Sequence, residues 1–598
     1  MDIEQIADLI KKVVSIPRYY LVGLTRSGYI VFNSTQEGVF KLYSIEPGTG
    51  RIRSLVDEPI YMIVRTSRNS DVVLYTVDVS RGYEMVSVCG VDAVSGRKFT
   101  LSEGVKPHRI VGLGYDGIRV AWSGSVGSRA FIYMSKVSNG VTEPIVEISG
   151  REAVSDVSEK YIAGSGHLKG DPFTTELFII NIATREMRVY TPREGSVNRH
   201  PKLFRSKVLF ESNFEDLDRF KLYVYDIEAG EISKVETKHT DLKRFDPVEY
   251  VNFGWTADGR IWAIGKKHGS SKLFIDGAEV RTPEGMILSA DIGEDYAYVT
   301  HTSMRDPARM LKVDLRSSRY ETIIGVDVPR EIAESLRDVL YVEVESEGGV
   351  RVPTYVLISS KAPLPGPTIA YPHGGPWSEV SNAWTPLLAL LVSLGYHVVA
   401  PNFRGSTGYG ERFRKLDLGD PGGGDLADLV NAVEWAVRAG VADRERLAVF
   451  GYSYGGYLSF MAMVKYPEMW KCGIAGAGVT DWNEDYELAD AFFKRYDEIL
   501  FAGKKELFTD RSPITYIDRV KSPICIIHPQ NDSRCPLRPI MKFAYKLMEL
   551  ERTFELHVIP DIGHAISLDS NAMAKYLLYS TVFLNTHLSH KHEKTHER

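Results

Sequence analysis

A glycine-flanked serine at position 453 is the residue of this chain best suited to covalent chemistry. It lies in RLAVFGYSYGGYL, residues 446–458, where an apolar run ends and a helical pattern begins. This is the strand–turn–helix context of a nucleophile elbow, which leaves the serine hydroxyl exposed at the carboxyl end of a strand. The turn has no room for side chains at its crowded positions, and we expect Gly451, Gly455 and Gly456 to supply that room. The alternative is a glycine-rich turn before a helix, without a chemical role.

A serine hydroxyl is a weak nucleophile at neutral pH, so it needs a general base and an acid that orients the base. The predicted base is His564, in the loop PDIGHAI. His528, at the end of a strand-like run, is the main alternative, whereas His557 lies inside such a run and is better suited to packing. The predicted acid is Asp532, in HPQNDSRCP, and its alternative is Asp561, three residues before the predicted base.

Acyl transfer also needs donors for the negative charge that develops on the substrate oxygen. One predicted donor is the backbone N–H of Tyr454, the residue after the nucleophile. The other is expected in YPHGGPW, residues 371–377, where Gly374 and Gly375 let the backbone approach the substrate. We predict Gly375 as that donor; a plain turn is the alternative for this segment.

The second half of the chain predicts the sheet that would position these groups. Apolar runs on both faces alternate with helical patterns, and the runs cover 367–372, 396–401, 446–451, 471–479, 522–529 and 554–560. This alternation predicts a doubly wound, mostly parallel α/β sheet, whose ligands bind at the carboxyl ends of the strands. Ser453, Asp532 and His564 each follow such a run, and their order along the chain is that of the α/β-hydrolases.

Residues 19–327 have a different pattern, in which a strand–turn–strand unit recurs at about the length of a four-stranded propeller blade. Seven units fit this span: KLYSIEPGTGRIRSL from Lys41, SVCGVDAVSGRKFTL from Ser87, FIYMSKVSNGVTEPI from Phe131, LFIINIATREMRVYT from Leu177, KLYVYDIEAGEISKV from Lys221, KLFIDGAEVRTP from Lys272 and MLKVDLRSSRYETII from Met310. We therefore predict a seven-bladed β-propeller before the α/β-hydrolase domain. A pair of β-sandwiches remains the alternative.

Composition and charge exclude several classes of protein. With 44% apolar and 25% charged residues, the 598-residue chain is typical of globular multidomain proteins. A net charge of −6 gives no basic surface for nucleic acid, and no apolar run is long enough to predict a transmembrane helix. Four cysteines without zinc-binding spacing predict no metal and no cofactor. The polar tail HKHEKTHER, from His590, is more typical of a solvated end than of a metal site.

The N-terminal segment MDIEQIADLIKKVVSIP carries acids at positions 2 and 4 and no uninterrupted apolar core. It predicts an amphipathic helix and not a signal peptide, so we expect a cytoplasmic protein.

HGGP, NFRGSTGYG (402–410), GYSYGGY, HPQNDSRCP and IPDIGH together resemble the prolyl oligopeptidase family of serine peptidases, in which a seven-bladed propeller precedes an α/β-hydrolase domain. DPGGGDLADL (420–429) and DWNEDYELAD (481–490) look most like archaeal acylaminoacyl peptidases, also called acylpeptide hydrolases. The resemblance implies Ser453 as nucleophile, Asp532 as acid, His564 as base, and Gly375 and Tyr454 as oxyanion donors. It also implies that an N-terminal helix (1–18) packs on the hydrolase domain (328–598), with the propeller in between (19–327).

The resemblance further implies a substrate pocket after Trp482. In FFKRYDEIL, residues 492–500, Phe492 and the next aromatic side chains would wall an apolar pocket, although the nearby Asp497 argues against a purely apolar preference. Ordinary helix core is the alternative for two of these aromatics. Four side chains are predicted to contact substrate: Trp482, Phe493, Tyr496 and Arg534. No Asp-Trp-x-x-Glu-Glu segment occurs in residues 19–327, which counts against a dipeptidyl peptidase.

The predicted function is a serine exopeptidase that releases N-acylated amino acids from short peptides through an acyl-enzyme on Ser453, with esterase side activity. The alternatives are a prolyl oligopeptidase-like endopeptidase, a carboxylesterase and a non-enzymatic propeller scaffold. We expect the propeller to exclude folded proteins. A homodimer or higher homo-oligomer is expected because the run FELHVIP would form a sheet edge. Cys535 is either a reactive thiol activated by the neighbouring arginine or a buried, inert one.

Overall fold

The computed structural model describes residues 2–106, 108–127, 129–138 and 140–588. The His-bearing tail from His590 lies outside the described residues. Two parts follow one another along the chain: an array of seven four-stranded sheets and a single eight-stranded sheet flanked by helices.

The seven four-stranded antiparallel sheets are the blades of a β-propeller. Their strands are, in blade 1, β1 Tyr19–Leu24, β2 Ile30–Ser34, β3 Lys41–Ile45 and β4 Ile52–Ser54; in blade 2, β5 Val64–Arg65, β6 Val72–Asp78, β7 Val86–Asp92 and β8 Lys98–Thr100; in blade 3, β9 Arg109–Tyr115, β10 Arg119–Val126, β11 Arg129–Lys136 and β12 Thr142–Ile148; in blade 4, β13 Ala153–Val157, β14 Tyr161–Gly166, β15 Glu176–Asn181 and β16 Met187–Tyr190; in blade 5, β17 Asn198–Phe204, β18 Lys207–Ser212, β19 Lys221–Asp226 and β20 Glu231–Lys234; in blade 6, β21 Glu249–Trp255, β22 Ile261–Lys267, β23 Ser270–Ile275 and β24 Ala278–Val280; and in blade 7, β25 Met286–Ile292, β26 Tyr296–Thr302, β27 Arg309–Asp314 and β28 Tyr320–Ile324.

The predicted seven-bladed propeller is confirmed, and the sandwich alternative is excluded. Each of the seven units recognised in the sequence is the hairpin made by the third and fourth strands of one blade. The hairpins could be predicted because residues that favour turns lie between their two strands. In blade 2, the Asp92 carboxylate accepts hydrogen bonds from the N–H groups of Val94 (3.1 Å) and Ser95 (2.7 Å), and Gly96 takes a φ of 76°.

The ring closes between blades 7 and 1 through hydrogen bonds, one of which joins the Tyr19 N–H to the Ala308 carbonyl oxygen at 2.9 Å. The Leu21 N–H donates to Thr300 Oγ1 at 2.7 Å, and the Ser289 hydroxyl donates to the Leu21 carbonyl at 2.9 Å. In the part of the chain that the structure describes, no blade combines strands from both ends of the propeller sequence. The first and last blades are therefore held together by hydrogen bonds between sheets and not by a shared sheet.

The second part is a doubly wound, mostly parallel sheet, as predicted. Its strands are β29 Leu336–Glu345, β30 Arg351–Ser359, β31 Gly366–Ala370, β32 His397–Pro401, β33 Ala442–Tyr452, β34 Cys472–Gly476, β35 Ile524–Pro529 and β36 Phe554–Ile559. They lie in the order β29-β30-β32-β31-β33-β34-β35-β36, and every pair from β32 onward is parallel. The antiparallel strands β29 and β30 are not predicted from the sequence, because β29 is a largely exposed edge strand rich in charged residues.

Helices cover both faces of this sheet. They are α3 Arg330–Ala333, α4 Pro386–Ser393, α5 Glu411–Lys415, α6 Gly424–Arg438, α7 Tyr454–Lys465, α8 Trp482–Leu488, α9 Ala491–Leu500, α10 Leu537–Glu549 and α11 Ser570–Leu588, together with α1 Ile3–Val14 from the chain start; α2 Asp241–Phe245 precedes blade 6. The apolar face of α1, formed by Ile6, Leu9, Ile10 and Val13, is buried in the same core cluster as α4 and α11. This domain is therefore built from both ends of the chain. Among the helices of the described residues, none is long and apolar enough to cross a membrane.

Candidate active site

Ser453 lies at the tight turn between β33 and α7. Its backbone has φ 59° and ψ −125°, a conformation that a side-chain-bearing residue rarely adopts and that the surrounding structure must enforce. The flanking glycines are required by space, because a Cβ at Gly451 would lie 2.2 Å from the Gly455 carbonyl oxygen. A Cβ at Gly455 would lie 2.1 Å from the Pro372 carbonyl oxygen, and one at Gly456 would lie 2.3 Å from that of Gly476. The turn presents the hydroxyl at the carboxyl end of the sheet.

Three of the predicted side chains form one hydrogen-bonded chain. The Ser453 hydroxyl lies 2.8 Å from His564 Nε2, and His564 Nδ1 lies 2.6 Å from Asp532 Oδ2. His564 is 6% and Asp532 4% exposed, so the chain is shielded from water except at the serine. A base between a hydroxyl and a buried carboxylate is the geometry that makes serine nucleophilic.

The Asp532 carboxylate is fixed from both sides. Its other oxygen, Oδ1, accepts hydrogen bonds from the N–H groups of Arg534 and Cys535, both at 2.9 Å. Burial alone would raise the pKa of Asp532, but the neighbouring His564 and, to a smaller extent, His528 and the Cys535 N–H hold it below its usual value. The carboxylate is therefore ionised at neutral pH and locked toward His564.

The alternative residues lie elsewhere. His528 is fully buried and donates from Nε2 to the Cys535 carbonyl oxygen at 2.7 Å, so it supports the loop after β35. His557 stacks on Tyr579 with 4.0 Å between ring centroids. Asp561 has 74% of its side chain exposed, and its only ion pair in the described part of the chain is a 4.0 Å contact with Arg81. None of the three alternatives contacts Ser453.

The two predicted oxyanion donors flank the serine. Tyr454 is the first residue of α7, so its N–H has no acceptor within the helix. The N–H of Gly375 has no acceptor among the described residues. The loop of Gly375 lies against the nucleophile, since a Cβ on Gly374 would be 3.4 Å from Ser453 Cβ. Two unpaired N–H groups beside one hydroxyl are what an oxyanion hole requires.

The Gly375 loop is held in place by side chains that sequence reasoning did not connect to it. The Tyr496 hydroxyl of α9 donates to the Gly375 carbonyl oxygen at 2.6 Å. His373 Nδ1 donates to the Gly374 carbonyl oxygen at 2.8 Å, and its ring stacks on Phe403. Burial lowers the pKa of His373 to about 4, so this histidine is a neutral structural support.

The Tyr454 ring rests on a pair of buried acids that were not predicted as part of the site. Its hydroxyl donates to Asp425 Oδ2 at 2.6 Å and lies 3.4 Å from Asp417 Oδ1. Burial raises the pKa of Asp425 to about 6 and that of Asp417 well above its usual value, since two adjacent buried carboxyls cannot both ionise. An available signal was an aspartate at the start of the otherwise apolar α6 pattern, directly after the glycine run 422–424.

The predicted substrate contacts fall in different places. Trp482 is only 2% exposed and packs edge-on against Tyr457 and Phe501 in the core, so the structure gives it no open face toward a substrate. Phe493 and Tyr496 are half-buried on α9, as is Phe492. Trp482 therefore belongs to the core, whereas Phe492, Phe493 and Tyr496, for which helix core was the alternative, lie half-buried on α9 against the propeller arginines Arg109 and Arg151.

Arg534 is hydrogen-bonded to two residues of the propeller. Its Nε donates to Glu84 Oε1 at 2.8 Å, and its Nη2 lies 3.2 Å from the Tyr61 hydroxyl. The same glutamate binds Arg109, which also donates to Asp490 at 2.7 Å. Sequence reasoning missed this network because Glu84 and Arg534 lie 450 positions apart, and nothing in either local sequence points to the other.

Cys535 is buried, at 8% exposure, under the loop that carries Asp532. Burial raises the pKa of its thiol well above the usual value, and the opposing effect of Arg534 is smaller. The inert-thiol alternative is the one that the structure favours. We expect a maleimide to leave both Cys535 and the hydrolytic activity untouched in the folded protein, and to label Cys535 only after unfolding. Peptide mass mapping of labelled samples measures this, and rapid native labelling at Cys535 accompanied by inhibition would contradict it.

One group of potential metal ligands occurs among the described residues. Cys525, Glu555 and His557, on β35 and β36, have ligand atoms within 4.8 Å of one another. Burial raises the pKa of the Cys525 thiol well above its usual value, and His557 Nε2 donates to Glu555 at 2.9 Å. A protonated thiol is a poor metal ligand, and we assign no metal to this cluster.

Both domains of the chain match models of known protein families. Residues 384–591 match the model described as "Prolyl oligopeptidase family". Residues 31–311 match the one described as "Acylamino-acid-releasing enzyme-like, N-terminal domain". The chain belongs to the prolyl oligopeptidase family. The family predicted from the sequence motifs is therefore confirmed.

Curated relatives match parts of this chain. "Dipeptidyl aminopeptidase BIII" of Pseudoxanthomonas mexicana is 33% identical over 224 residues, which are 36% of this chain and 32% of that protein. "Acylamino-acid-releasing enzyme" of Rattus norvegicus is 32% identical over 232 residues, covering 37% of this chain and 31% of the relative. The matches thus span about a third of the length of these relatives.

Solved structures show the same two-domain fold over nearly the whole chain. A puromycin-hydrolyzing peptidase of Mycobacterium tuberculosis aligns with a TM-score of 0.81 and 17% identity, over 98% of this chain and 96% of that one. An acylaminoacyl peptidase of Pyrococcus horikoshii aligns with a TM-score of 0.72 and 17% identity, over 98% of both chains. At this identity the likeness establishes the fold.

Proposed function

We propose that the protein is a serine peptidase that releases N-acylated amino acids from the N-terminus of short peptides. The single observation that carries the proposal is the hydrogen-bonded chain Ser453–His564–Asp532 beside the unpaired N–H groups of Tyr454 and Gly375. Each component that acyl transfer needs is present in one place: a nucleophile, a base, an acid that orients the base, and donors for the oxyanion.

In the first half-reaction, Ser453 Oγ attacks the scissile carbonyl while His564 Nε2 takes its proton. The carbonyl oxygen becomes negative and is held by the two N–H groups, and Asp532 stabilises the imidazolium. The C–N bond then breaks as His564 returns the proton to the leaving amine, which leaves the acyl group on Ser453. Water repeats the sequence, releasing the N-acyl amino acid and restoring the hydroxyl.

Selection of short substrates follows from the propeller, which covers the catalytic loops. The loop between β6 and β7 contacts the loop of Asp532 and the loop of His564. The Asn531 side chain donates to the Arg81 carbonyl at 2.7 Å, and a Cβ on Gly82 would lie 2.2 Å from the Gly563 nitrogen. A cavity of about 260 Å³ remains between this loop and His564. Such a space suits part of a short peptide and excludes a folded protein.

The preference for acylated N-termini is supported by the match of residues 31–311 to the N-terminal domain of acylamino-acid-releasing enzymes and by relatives of that name in mammals. Other relatives are named dipeptidyl peptidases, which makes a free-amine substrate the second candidate. The absence from residues 19–327 of an Asp-Trp-x-x-Glu-Glu segment favours the acylated substrate.

Steady-state kinetics on a matched panel tests the proposal. The panel contains acetyl-Ala-Ala-Phe amide, the same peptide with a free amino terminus, an internally proline-containing peptide blocked at both ends, and a p-nitrophenyl ester. We expect release of acetyl-alanine to have the highest kcat/KM among the peptides, with measurable ester hydrolysis. Release of an unblocked dipeptide would favour the second candidate, and cleavage after proline would favour an endopeptidase.

We also propose that the protein acts as a homo-oligomer in the cytoplasm. Support for self-association is the placement of β36 at the edge of the eight-stranded sheet, where no further strand of the described residues pairs with it. Light scattering at micromolar concentration tests this, and a monomer would count against it. The cytoplasmic location rests on the sequence alone.

A further inference from the structure

Arg151 of the propeller is a cation without a partner at the domain interface. It lies between β12 and β13, and its guanidinium faces the rings of Trp377, Phe492 and Tyr496 with centroid distances of 5.2, 5.1 and 5.4 Å. Its Nη1 is shielded from solvent and has no hydrogen-bond acceptor in the described part of the chain. Aromatic rings attract a cation but do not accept its N–H bonds in the plane of the guanidinium.

The other arginines around it are paired. Arg109 binds Glu84 and Asp490, Arg534 binds Glu84, Arg414 binds Glu411, and Arg495 binds Glu498. For Arg151, no carboxylate of the described residues lies within ion-pair distance. Unpaired buried polar groups are rare in native proteins, because burying one costs free energy that a partner would recover. The described residues therefore supply no hydrogen-bond partner for Arg151 Nη1, which leaves this donor open to a substrate group.

The acid that most directly influences Arg151 does not neutralise it. Asp497 of α9 lies near enough to interact electrostatically, but burial raises the pKa of Asp497 well above its usual value, which weakens this carboxyl as a counter-charge. Burial lowers the pKa of Arg151 to about 10, so the guanidinium keeps its charge at neutral pH. The positive charge between the three rings therefore has no ion-paired carboxylate among the described residues.

The position of Arg151 ties it to the catalytic site. Two of its three rings belong to the oxyanion loop and its support: Trp377 follows Gly375 by two residues, and the Tyr496 hydroxyl donates to the Gly375 carbonyl oxygen at 2.6 Å. His564 must face the leaving amine to protonate it, so the leaving group lies on the histidine side of the serine. The carbonyl oxygen of an acyl group on Ser453 lies in the oxyanion hole, so the acyl part of the substrate lies beside the Gly375 loop that Tyr496 supports.

We propose that Arg151 is a specificity residue that binds a carboxylate on the acyl part of the substrate. This rests on the proposed function and narrows it to N-acyl peptides with an acidic acyl group or an acidic side chain before the scissile bond. A guanidinium presents a fork of N–H donors that matches a carboxylate, and three aromatic walls exclude the water that would weaken the pair. Hydrogen bonds to charged groups at such sites change kcat/KM by about ten- to a hundredfold.

A matched substrate pair isolates the carboxylate. N-succinyl-phenylalanine p-nitroanilide carries the charge, and its methyl ester has nearly the same shape without it. We expect wild-type protein to prefer the succinyl substrate by at least about tenfold in kcat/KM. R151M should abolish the preference, measured as the ratio of kcat/KM for the two substrates in the same variant, whereas R151K should keep part of it. Equal ratios in wild type and R151M would overturn the proposal.

R414M is the matched control. Arg414 also lies over Trp377, at 5.6 Å from the ring, but it is paired with Glu411. The ratio of the two substrates should be unchanged in R414M if Arg151 binds the carboxylate directly. A ratio that falls equally in R151M and R414M would show that general positive charge, and not Arg151, sets the preference.

Two further measurements test on which side of the scissile bond the carboxylate binds, and whether Arg151 binds it when no hydrolysis occurs. Acetyl-Phe-Glu amide carries a charge on the leaving side and acetyl-Phe-Gln amide does not, and a preference for the former that R151M removes would contradict the acyl-side assignment. If neither anilide is hydrolysed, the proposed function fails. Calorimetry of N-succinyl-phenylalanine and its methyl ester on S453A then still tests Arg151: tighter binding of the free acid that R151M removes would support it, and equal binding would overturn it.

Discussion

Replacing Ser453 with alanine should abolish hydrolysis of both peptide and ester substrates and leave the fold intact. The hydroxyl is the atom that attacks in the proposed mechanism, and it is the group bonded to His564 Nε2 at 2.8 Å. Loss of the nucleophile in a serine hydrolase costs about 10⁶ in turnover. Steady-state rates with acetyl-alanine peptides and a p-nitrophenyl ester measure the effect, and circular dichroism with thermal unfolding checks the fold.

The backbone at this position provides the reason to expect an intact fold. Alanine can occupy the φ of 59° at the same cost as serine, and the removed oxygen has one hydrogen-bond partner among the described side chains. Ser533→Ala is a matched control, since that hydroxyl donates to the Tyr83 carbonyl outside the catalytic chain. Activity of S453A within tenfold of wild type, with normal activity of the control, would show that another residue is the nucleophile.

The features that the sequence predicted correctly are those with a local cause. The blade hairpins could be predicted because their turns carry local signals, such as an Asx turn followed by a glycine with positive φ at Asp92 and Gly96 in blade 2 and at Asp226 and Gly230 in blade 5. The nucleophile elbow could be predicted because its tight turn requires three glycines within six residues. Ser453, Asp532 and His564 could be selected together because parallel strands end at the same edge of a sheet.

The features that the sequence did not predict depend on contacts between distant segments. Glu84 of blade 2 pairs with Arg534, and Arg151 lies over three rings of the hydrolase domain. The residues that flank Glu84 and Arg151 in the sequence do not distinguish them from solvent-exposed charged residues. Trp482 shows the opposite problem. An aromatic residue after a buried strand fits both a pocket wall and a core, and only its packing on Tyr457 and Phe501 separates the two.

Replacing Asp532 with asparagine should be the next most damaging single change, and it tests the assignment of the acid. The carboxylate accepts from His564 Nδ1, which leaves Nε2 free to take the serine proton. An amide in this place can donate its N–H to Nδ1, which favours the tautomer with the proton on Nε2 and removes the base. The expected loss is about 10⁴ in kcat with little change in KM, by analogy with the serine protease triad.

Asp561→Asn is the control that makes this result decisive, because it makes the same chemical change three residues from His564. Its side chain is 74% exposed and touches the rest of the described chain only through the 4.0 Å contact with Arg81. An exposed pair at that distance contributes at most about 1 kcal/mol, so kcat/KM of D561N should stay within about threefold of wild type. If D561N proved more damaging than D532N, with both proteins folded, the acid would be Asp561, and the hydrogen bond from His564 to Asp532 would be a structural contact only.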